Sequence, residues 1–360
     1  MRDQFIIPEG GPYFLTHSTG PLTVRGLKYL RDSYLTPWTE KGGNVWPEWL
    51  VIIDRFRAGL GKLFVGEADD FCPQQNVSSG LTKYLLSLPG RKGPIKVLMH
   101  GHAFPSMGFV VQALRSAGHE LVLIPGQLPA SDINVWAEHL TDDIGAVLIT
   151  HVHSNTGAVS PVKEIAATAR AKDVRTLVDV AQSNGIMPIN LKDWNADAVF
   201  GSCVKWLSGG PGAGWMWVNP ERADDLTPID VGWFSHEDPF EFDIHNFRYA
   251  GSAKKFWGGT PSIAPYALAL GGVETILEIG IDKMRAHNLE LMQTVLPDRN
   301  FSQNGGTICF DADDRAEALS AKLTAENAFF DRRDNTLRLS LHITNTAEEA
   351  QMLRDLLVRD

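Results

Sequence analysis

The sequence predicts an α/β protein: a large domain on a mostly parallel sheet, then a small C-terminal α+β domain. Two observations carry this expectation. Through the first 261 residues, apolar runs too short for helices alternate with helix-like stretches. Strands separated by helices pair in parallel, with helices covering both faces of the sheet. After about residue 262 the alternation stops and a long helix leads into a different pattern. The expected division is an N-terminal segment plus large domain at 1–261 and a small domain at 262–360.

Residues 47–64 place Trp49, Ile53, Phe56, Leu60 and Leu63 at steps of three and four, which is one helical face. Strand-length apolar runs follow at 96–99, 121–124, 146–150, 176–180, 198–200 and 215–218. Ser160 and Pro161, ahead of KEIAATARA, read as an N-cap and a first helical residue. A helix is predicted over 262–279, and strands over 306–310 and 336–341. In the last strand Leu337, Leu339 and Leu341 face one way, Arg338 and Ser340 the other. Thr346, with Glu349 three residues later, is a capping box that opens a final helix at 347–358.

Composition narrows the function. Apolar residues make up 44% of the 360 and charged ones 21%, which is a folding rather than a disordered composition. Thirty-three basic against 43 acidic residues give a net charge of −10, and no Lys/Arg run offers the footprint of a nucleic-acid binder. Cys72, Cys203 and Cys309 are too few and too scattered for a disulfide scaffold or a CxxC metal site, which fits a reducing cytoplasm. Neither a signal-like apolar core at the N-terminus nor a stretch of membrane-spanning length is present in the sequence, so a cytoplasmic protein is expected.

Three places could carry chemistry. Lys205, in FGSCVKWLSGGPGAGW, follows small and apolar residues. Desolvation disfavours the charged ammonium, and the neutral amine is a nucleophile toward aldehydes. A surface loop lysine is the plainer alternative. Asp179 ends the run TLVDV, and the carboxyl ends of strands in an open parallel sheet are where ligands bind. Its plainer alternative is a turn cap. Ser79-Gly80-Leu81-Thr82 opens a helix-like stretch whose free amides could cradle an anion. An anion cradle, a carboxylate for a protonated ring nitrogen and an aldehyde-binding lysine together meet the requirements of pyridoxal phosphate.

The segments YFLTHSTGP, SSGLTKYL, HAFPS, HVHSNTGAVSPVKEI, VDVAQSNG, GSCVKWLSGGPGAGW, VGWFSHEDPFEFD, FWGGTPSI and LRLSLHITNT run in that order across most of the chain. Together they resemble the class V aminotransferase family of fold-type I pyridoxal-phosphate enzymes, with kynureninase the nearest-looking branch. The resemblance implies Lys205 as the Schiff-base lysine and Asp179 as partner of the pyridinium nitrogen. It implies Leu81, Thr82 and Ser202 around the phosphate, Phe104 stacked on the ring, and Asn155 and Gln182 near the ring hydroxyl or the lysine. Trp233 and Thr260 resemble residues that reach the neighbouring subunit's phosphate, which implies a homodimer. Arg338 would clamp the substrate α-carboxylate, and His17 is the suggestive side chain of an N-terminal segment near the substrate.

Four positions depart from the kynureninase pattern: Val204 for tyrosine, Met107 for aspartate, Gln182 for histidine and Thr260 for asparagine. A desulfurase would need a cysteine shortly before Arg338, and residues 324–336 have none, Cys309 lying on a probable strand further back. The expected activity is therefore an aminotransferase, with a kynureninase-like hydrolase as the alternative. Other lyase or epimerase chemistry, and an inactive binding relative, are lesser readings. No nucleic-acid or membrane partner is expected.

Overall fold

The structure is a computed structural model that describes residues 1–89 and 94–358, so the last two residues of the expected C-terminal domain lie outside the described residues. In chain order the strands are β1 (Phe5–Ile6), β2 (Leu22–Thr23), β3 (Phe71–Gln74), β4 (Ile95–His100), β5 (His119–Ile124), β6 (Ile144–Thr150), β7 (Arg175–Asp179), β8 (Ala198–Ser202), β9 (Gly214–Val218), β10 (Thr307–Asp311), β11 (Asp331–Arg333) and β12 (Thr336–Ser340). The main sheet has the order β3-β9-β8-β7-β6-β4-β5. Pairings from β5 through β8 are parallel, and β9 alone runs against its neighbours. All six expected strands of this sheet are present. Every residue of β6 and β9 is buried, as central strands covered on both faces must be.

One unexpected strand, β3, forms the edge. Its sequence, FCPQ, carries Pro73, which cannot donate to a ladder and is tolerated where only one neighbour exists. Helices cover both faces. Trp46–Phe64 and Val162–Arg170 contribute Ile53, Phe56, Leu60 and Ile165 to one core, while Val77–Ser87 and Pro105–Ala113 contribute Leu81, Leu85 and Val111 to the other. No single helix among the described residues is long and apolar enough to cross a membrane.

Packing puts the change of core later than the sequence pattern suggested. Helix Ala264–Ile279 buries Tyr266, Ala267, Leu270 and Val273 in the large core, against the helix Trp46–Phe64. A separate cluster begins only in the next helix, Ile281–Val295, and joins Leu291 to Ile308, Leu337, Leu339, Leu341, Leu353 and Leu357. The antiparallel sheet β10-β12-β11 and the helices Ala316–Ala325 and Ala347–Val358 complete it. Met284, in the helix Ile281–Val295, still belongs to the large core, so the two clusters meet within that helix rather than at 262.

Two local expectations had different outcomes. The capping box is present: Glu349 N–H donates to Thr346 Oγ1 and Thr346 N–H to Glu349 Oε2, each at 3.2 Å. Ser160 caps nothing, because the helix Val162–Arg170 has Pro161 in the cap position. The Ser160 hydroxyl instead pairs with His153 Nε2 at 3.2 Å.

Candidate active site

Connections in the main sheet reverse direction at β4: the chain leaves it outward to β5 and returns to β6 on its other side. Crevices at the carboxyl ends of such strands are where open α/β sheets bind ligands. Phe104 follows β4, Asn155 follows β6, Asp179 ends β7 and Ser202 ends β8, so one row of strand ends gathers four of the expected residues.

Asp179 is 6% exposed and accepts one backbone bond, from Ala181 N–H at 2.8 Å, and no cation is in contact with it among the described residues. Burial pushes its carboxyl above the ordinary value, opposed by the Ala181 bond and by the charge of Lys205. Lys205 shows the opposite shift: burial lowers its ammonium, Asp179 counters this, and Arg338 and Arg333 add to it. It is therefore no surface loop lysine. Phe104, 40% exposed ahead of the helix Pro105–Ala113, has its ring centroid 5.7 Å from Lys205 Nζ. An aromatic face that open is available to stack on a bound ring. Asn155 Oδ1 is buried with no hydrogen-bond partner, an acceptor waiting for a donor.

The helix expected to offer an anion cradle opens at Val77, two residues before Ser79. Asn76 caps the helix Val77–Ser87 through its Oδ1, which accepts Ser79 N–H at 2.9 Å. Leu81 is fully buried and Thr82 donates its hydroxyl to Ser78 O, so both belong to the second turn, where amides are bonded within the helix. The amides ahead of the first helical bond are those of Val77 and Ser78. They lie beside Ser202: Gly214 is the cross-strand partner of Ser202, and a Cβ on Gly214 would meet Asn76 Cα at 2.8 Å.

The N-terminal segment closes the site from the small-domain side. Gly20 N–H donates to Val204 O at 2.8 Å, and a Cβ on Gly20 would meet Lys205 O at 1.9 Å, so only glycine fits there. Gln182 holds this segment, donating Nε2–H to His17 O at 3.0 Å. His17 is 1% exposed, with Nδ1 facing Ser340 Oγ and Nε2 facing Asp331 Oδ1 at 3.2 Å. Asp331, held ionised, can only accept, so Nε2 carries the ring proton toward it, and in the neutral imidazole that burial favours, Nδ1 accepts from the Ser340 hydroxyl.

Arg338 is 4% exposed, so the polar face of β12 does not meet solvent but lines the site. Its Nε donates to Asp331 Oδ1 at 2.8 Å, its Nη2 to Asp331 Oδ2, and its Nη1 to Ser154 O at 3.0 Å. Asp331 is the residue that sequence reasoning missed; the signal lay in the register, which sets it opposite Arg338 on an adjacent strand. The register also sets Cys309 opposite Arg338, despite their distance in sequence. Burial pushes the Cys309 thiol up to about 11, so the unreactive protonated form prevails. A cavity of about 400 Å³ is lined by His102, Ser154, Asn155, Arg333, Thr336 and Arg338, among others.

Trp233 and Thr260 are not part of this group. Trp233 Nε1–H donates to Thr260 Oγ1 at 3.3 Å, and Thr260 lines a different cavity, with Ser79 and Lys83. The surrounding loop exposes Phe242 (77%) and Ile244 (90%).

A family model described as aminotransferase class-V matches residues 109–324. An uncharacterized aminotransferase, YcbU, from Bacillus subtilis (strain 168) is 28% identical, over 86% of this chain and 84% of its own. A kynureninase from Deinococcus radiodurans is also 28% identical, over 82% of this chain and 72% of its own. Among solved structures, a C-DES mutant with glycine covalently linked to its PLP cofactor superposes with a TM-score of 0.88 at 23% identity, over 99% of both chains. An apo cysteine desulfurase from Thermococcus onnurineus NA1 superposes at 0.84 and 19% identity, over 96% of this chain and 94% of that one.

Proposed function

The chain belongs to the aminotransferase class-V family of fold-type I enzymes, and from that premise we propose that it is a pyridoxal-phosphate-dependent aminotransferase acting at the α-amino group of an amino acid. The observation that carries this reading is Asp179: a buried carboxylate at a strand end with one backbone bond and no cation in contact. Such a group is costly unless a cationic partner arrives, and a protonated ring nitrogen is that partner. The rest of the site fits the same group. The amides of Val77 and Ser78 with Ser202 suit its phosphate, Phe104 its ring face, and Asn155 Oδ1 its ring hydroxyl.

Pyridoxal phosphate held there would supply an electron-withdrawing ring. The protein's part is to set protons. Asp179 keeps the ring nitrogen protonated. Lys205, whose ammonium form burial disfavours, moves the proton at the substrate's α-carbon. The N–H groups of Arg338 left free by Asp331 and Ser154 orient the substrate carboxylate. Cys309, buried and protonated, is unsuited to attack sulfur, which supports the reading against a desulfurase. The exposed apolar loop around Trp233 supports a homodimer in which Trp233 and Thr260 serve the neighbouring site.

The deciding experiment is a half-reaction. Cofactor-loaded protein is mixed with single amino acids, kynurenine included, with no keto acid, and the visible spectrum is followed. Loss of the lysine-linked absorbance in one turnover, with the amine form of the cofactor accumulating, is expected. Recovery of that absorbance after many turnovers, with a cleaved product, would replace the reading by a kynureninase-like hydrolase, which the similarity to the Deinococcus enzyme makes the second reading. Lys205→Ala is expected to abolish the lysine-linked absorbance and to lower turnover by about a thousandfold or more; full activity would remove the assignment.

A further inference from the structure

The cavity wall carries two guanidinium groups, and they are not equivalent. Side chains alternate along β11, so Asp331 and Arg333 share the cavity face, while Arg332 points away and pairs with Glu317 at 2.8 Å. The register sets Asp331 opposite Arg338 and Arg333 opposite Thr336. Asp331 takes the Nε and Nη2 edge of Arg338, so the carboxylate cancels the guanidinium charge at contact distance. With Nη1 given to Ser154 O, three of the five N–H donors of Arg338 are engaged and two remain. Arg333 has no carboxylate in contact among the described residues, and the one hydrogen bond of its side chain among them runs from Nη1 to Ser154 Oγ at 3.3 Å. Asp334 lines the same cavity at the exposed turn and makes no ion pair with either arginine. Ser154 thus lies between two forks, its carbonyl on Arg338 and its hydroxyl on Arg333.

We propose that Arg333 supplies the charge that draws the substrate's carboxylate into this cavity, with Arg338, neutralised by Asp331, adding oriented N–H donors. The proposal rests on the preceding reading only in calling the anion a substrate's carboxylate. An anion approaching a guanidinium already paired gains little net Coulomb energy and meets the carboxylate behind it. Approaching Arg333, it meets a cation with no carboxylate in contact and still reaches the spare N–H groups of Arg338 across Ser154. The bidentate pair on β12 then fixes direction, and the unpaired arginine on β11 provides attraction.

The test uses two probes of matched shape, propionate and propionamide, titrated by calorimetry into the native protein with and without cofactor. Native protein is expected to prefer propionate. Arg333→Met is expected to weaken propionate by about tenfold and leave propionamide unchanged. Arg333→Lys should keep most of the affinity, since charge rather than fork geometry is the claim. Asp331→Asn, which releases the charge of Arg338, should tighten propionate several-fold. Propionate binding that Arg333→Met leaves unchanged, or a native protein that binds the two probes alike, overturns the proposal. A failure of the cofactor reading shows separately, as missing lysine-linked absorbance, because the propionate titration is also read on cofactor-free protein.

Discussion

At the carboxyl ends of β7 and β8, Asp179 and Lys205 stand in apolar surroundings, and one backbone N–H is all that Asp179 receives. Across the cavity, Asp331 on β11, Arg338 and Ser340 on β12 and His17 of the N-terminal segment are linked by hydrogen bonds. Both regions are largely buried, yet their charges respond oppositely. On the floor burial dominates, raising the Asp179 carboxyl and lowering the Lys205 ammonium. On the wall burial alone would raise the Asp331 carboxyl, but hydrogen bonds from His17 and Arg338 outweigh it and hold the group well below its usual range. The difference separates two tasks. Groups that must accept a new partner or move a proton are left under-bonded at a cost in stability. Groups that must hold a shape are paired.

Breaking each region should therefore have opposite signatures. The larger effect is expected from Asp179→Asn. Turnover should fall by about a thousandfold, because an amide cannot keep the ring nitrogen protonated. The cofactor-free protein should nonetheless gain about 1 kcal/mol in urea unfolding, since a buried, under-bonded carboxylate is removed. The sign follows from its raised folded-state value: the ionised group costs stability above its unfolded pKa, and that cost shrinks as pH falls. A variant that loses stability would erase the contrast between floor and wall.

Next in size is Asp331→Asn. Arg338, 4% exposed, would keep its charge without a counter-ion, at a cost of about 2–3 kcal/mol, moderated because Asp331 is partly open to solvent. Its depressed carboxyl contributes stability that is full above the unfolded value near 3.8 and is lost as pH falls below it. Urea midpoints taken downward from about pH 5 should therefore drop less steeply in the variant than in the native protein. Equal slopes would show that the wall is not held by this pair.

The floor was far more legible in the sequence than the wall, for a physical reason. Central parallel strands are buried on both faces, so they appear as unbroken apolar runs, and Asp179 and Ser202 mark where two of them end. The wall depends on β11, three polar residues with no apolar run, and on a register that no local pattern encodes. The same gap hid the adjacency of Cys309 and Arg338. Edge strand β3, interrupted by Pro73, was missed because apolar continuity was the signal sought. The helix start was misplaced because Asn76 caps as well as serine does, two residues earlier than Ser79 would have opened it. The membership of helix Ala264–Ile279 in the large core is a fact of packing, which a one-dimensional pattern does not contain.

The smallest expected effect tests whether the wall is rigid as a unit or only at the site. The last helix, Ala347–Val358, begins at Thr346 and buries Ala350, Leu353 and Leu357 beneath the strands that carry Arg338. Glu349 Oε1 accepts from Arg2 Nη1 at 3.3 Å. Its Oε2 accepts Thr346 N–H, closing the capping box, and also accepts Asn345 Nδ2–H at 2.7 Å. Asn345 Nδ2 in turn donates to Tyr13 O at 3.1 Å, in the segment that leads to His17. Thr346→Ala removes one cap bond and should cost about 1 kcal/mol, with turnover unchanged. Glu349→Ala should cost somewhat more, because it also loosens Asn345. If the N-terminal segment is held to the small domain through this link, Glu349→Ala raises KM for the amino acid while Thr346→Ala does not. Equal KM values in the two variants would confine the wall's rigidity to the Asp331–Arg338–His17 network itself.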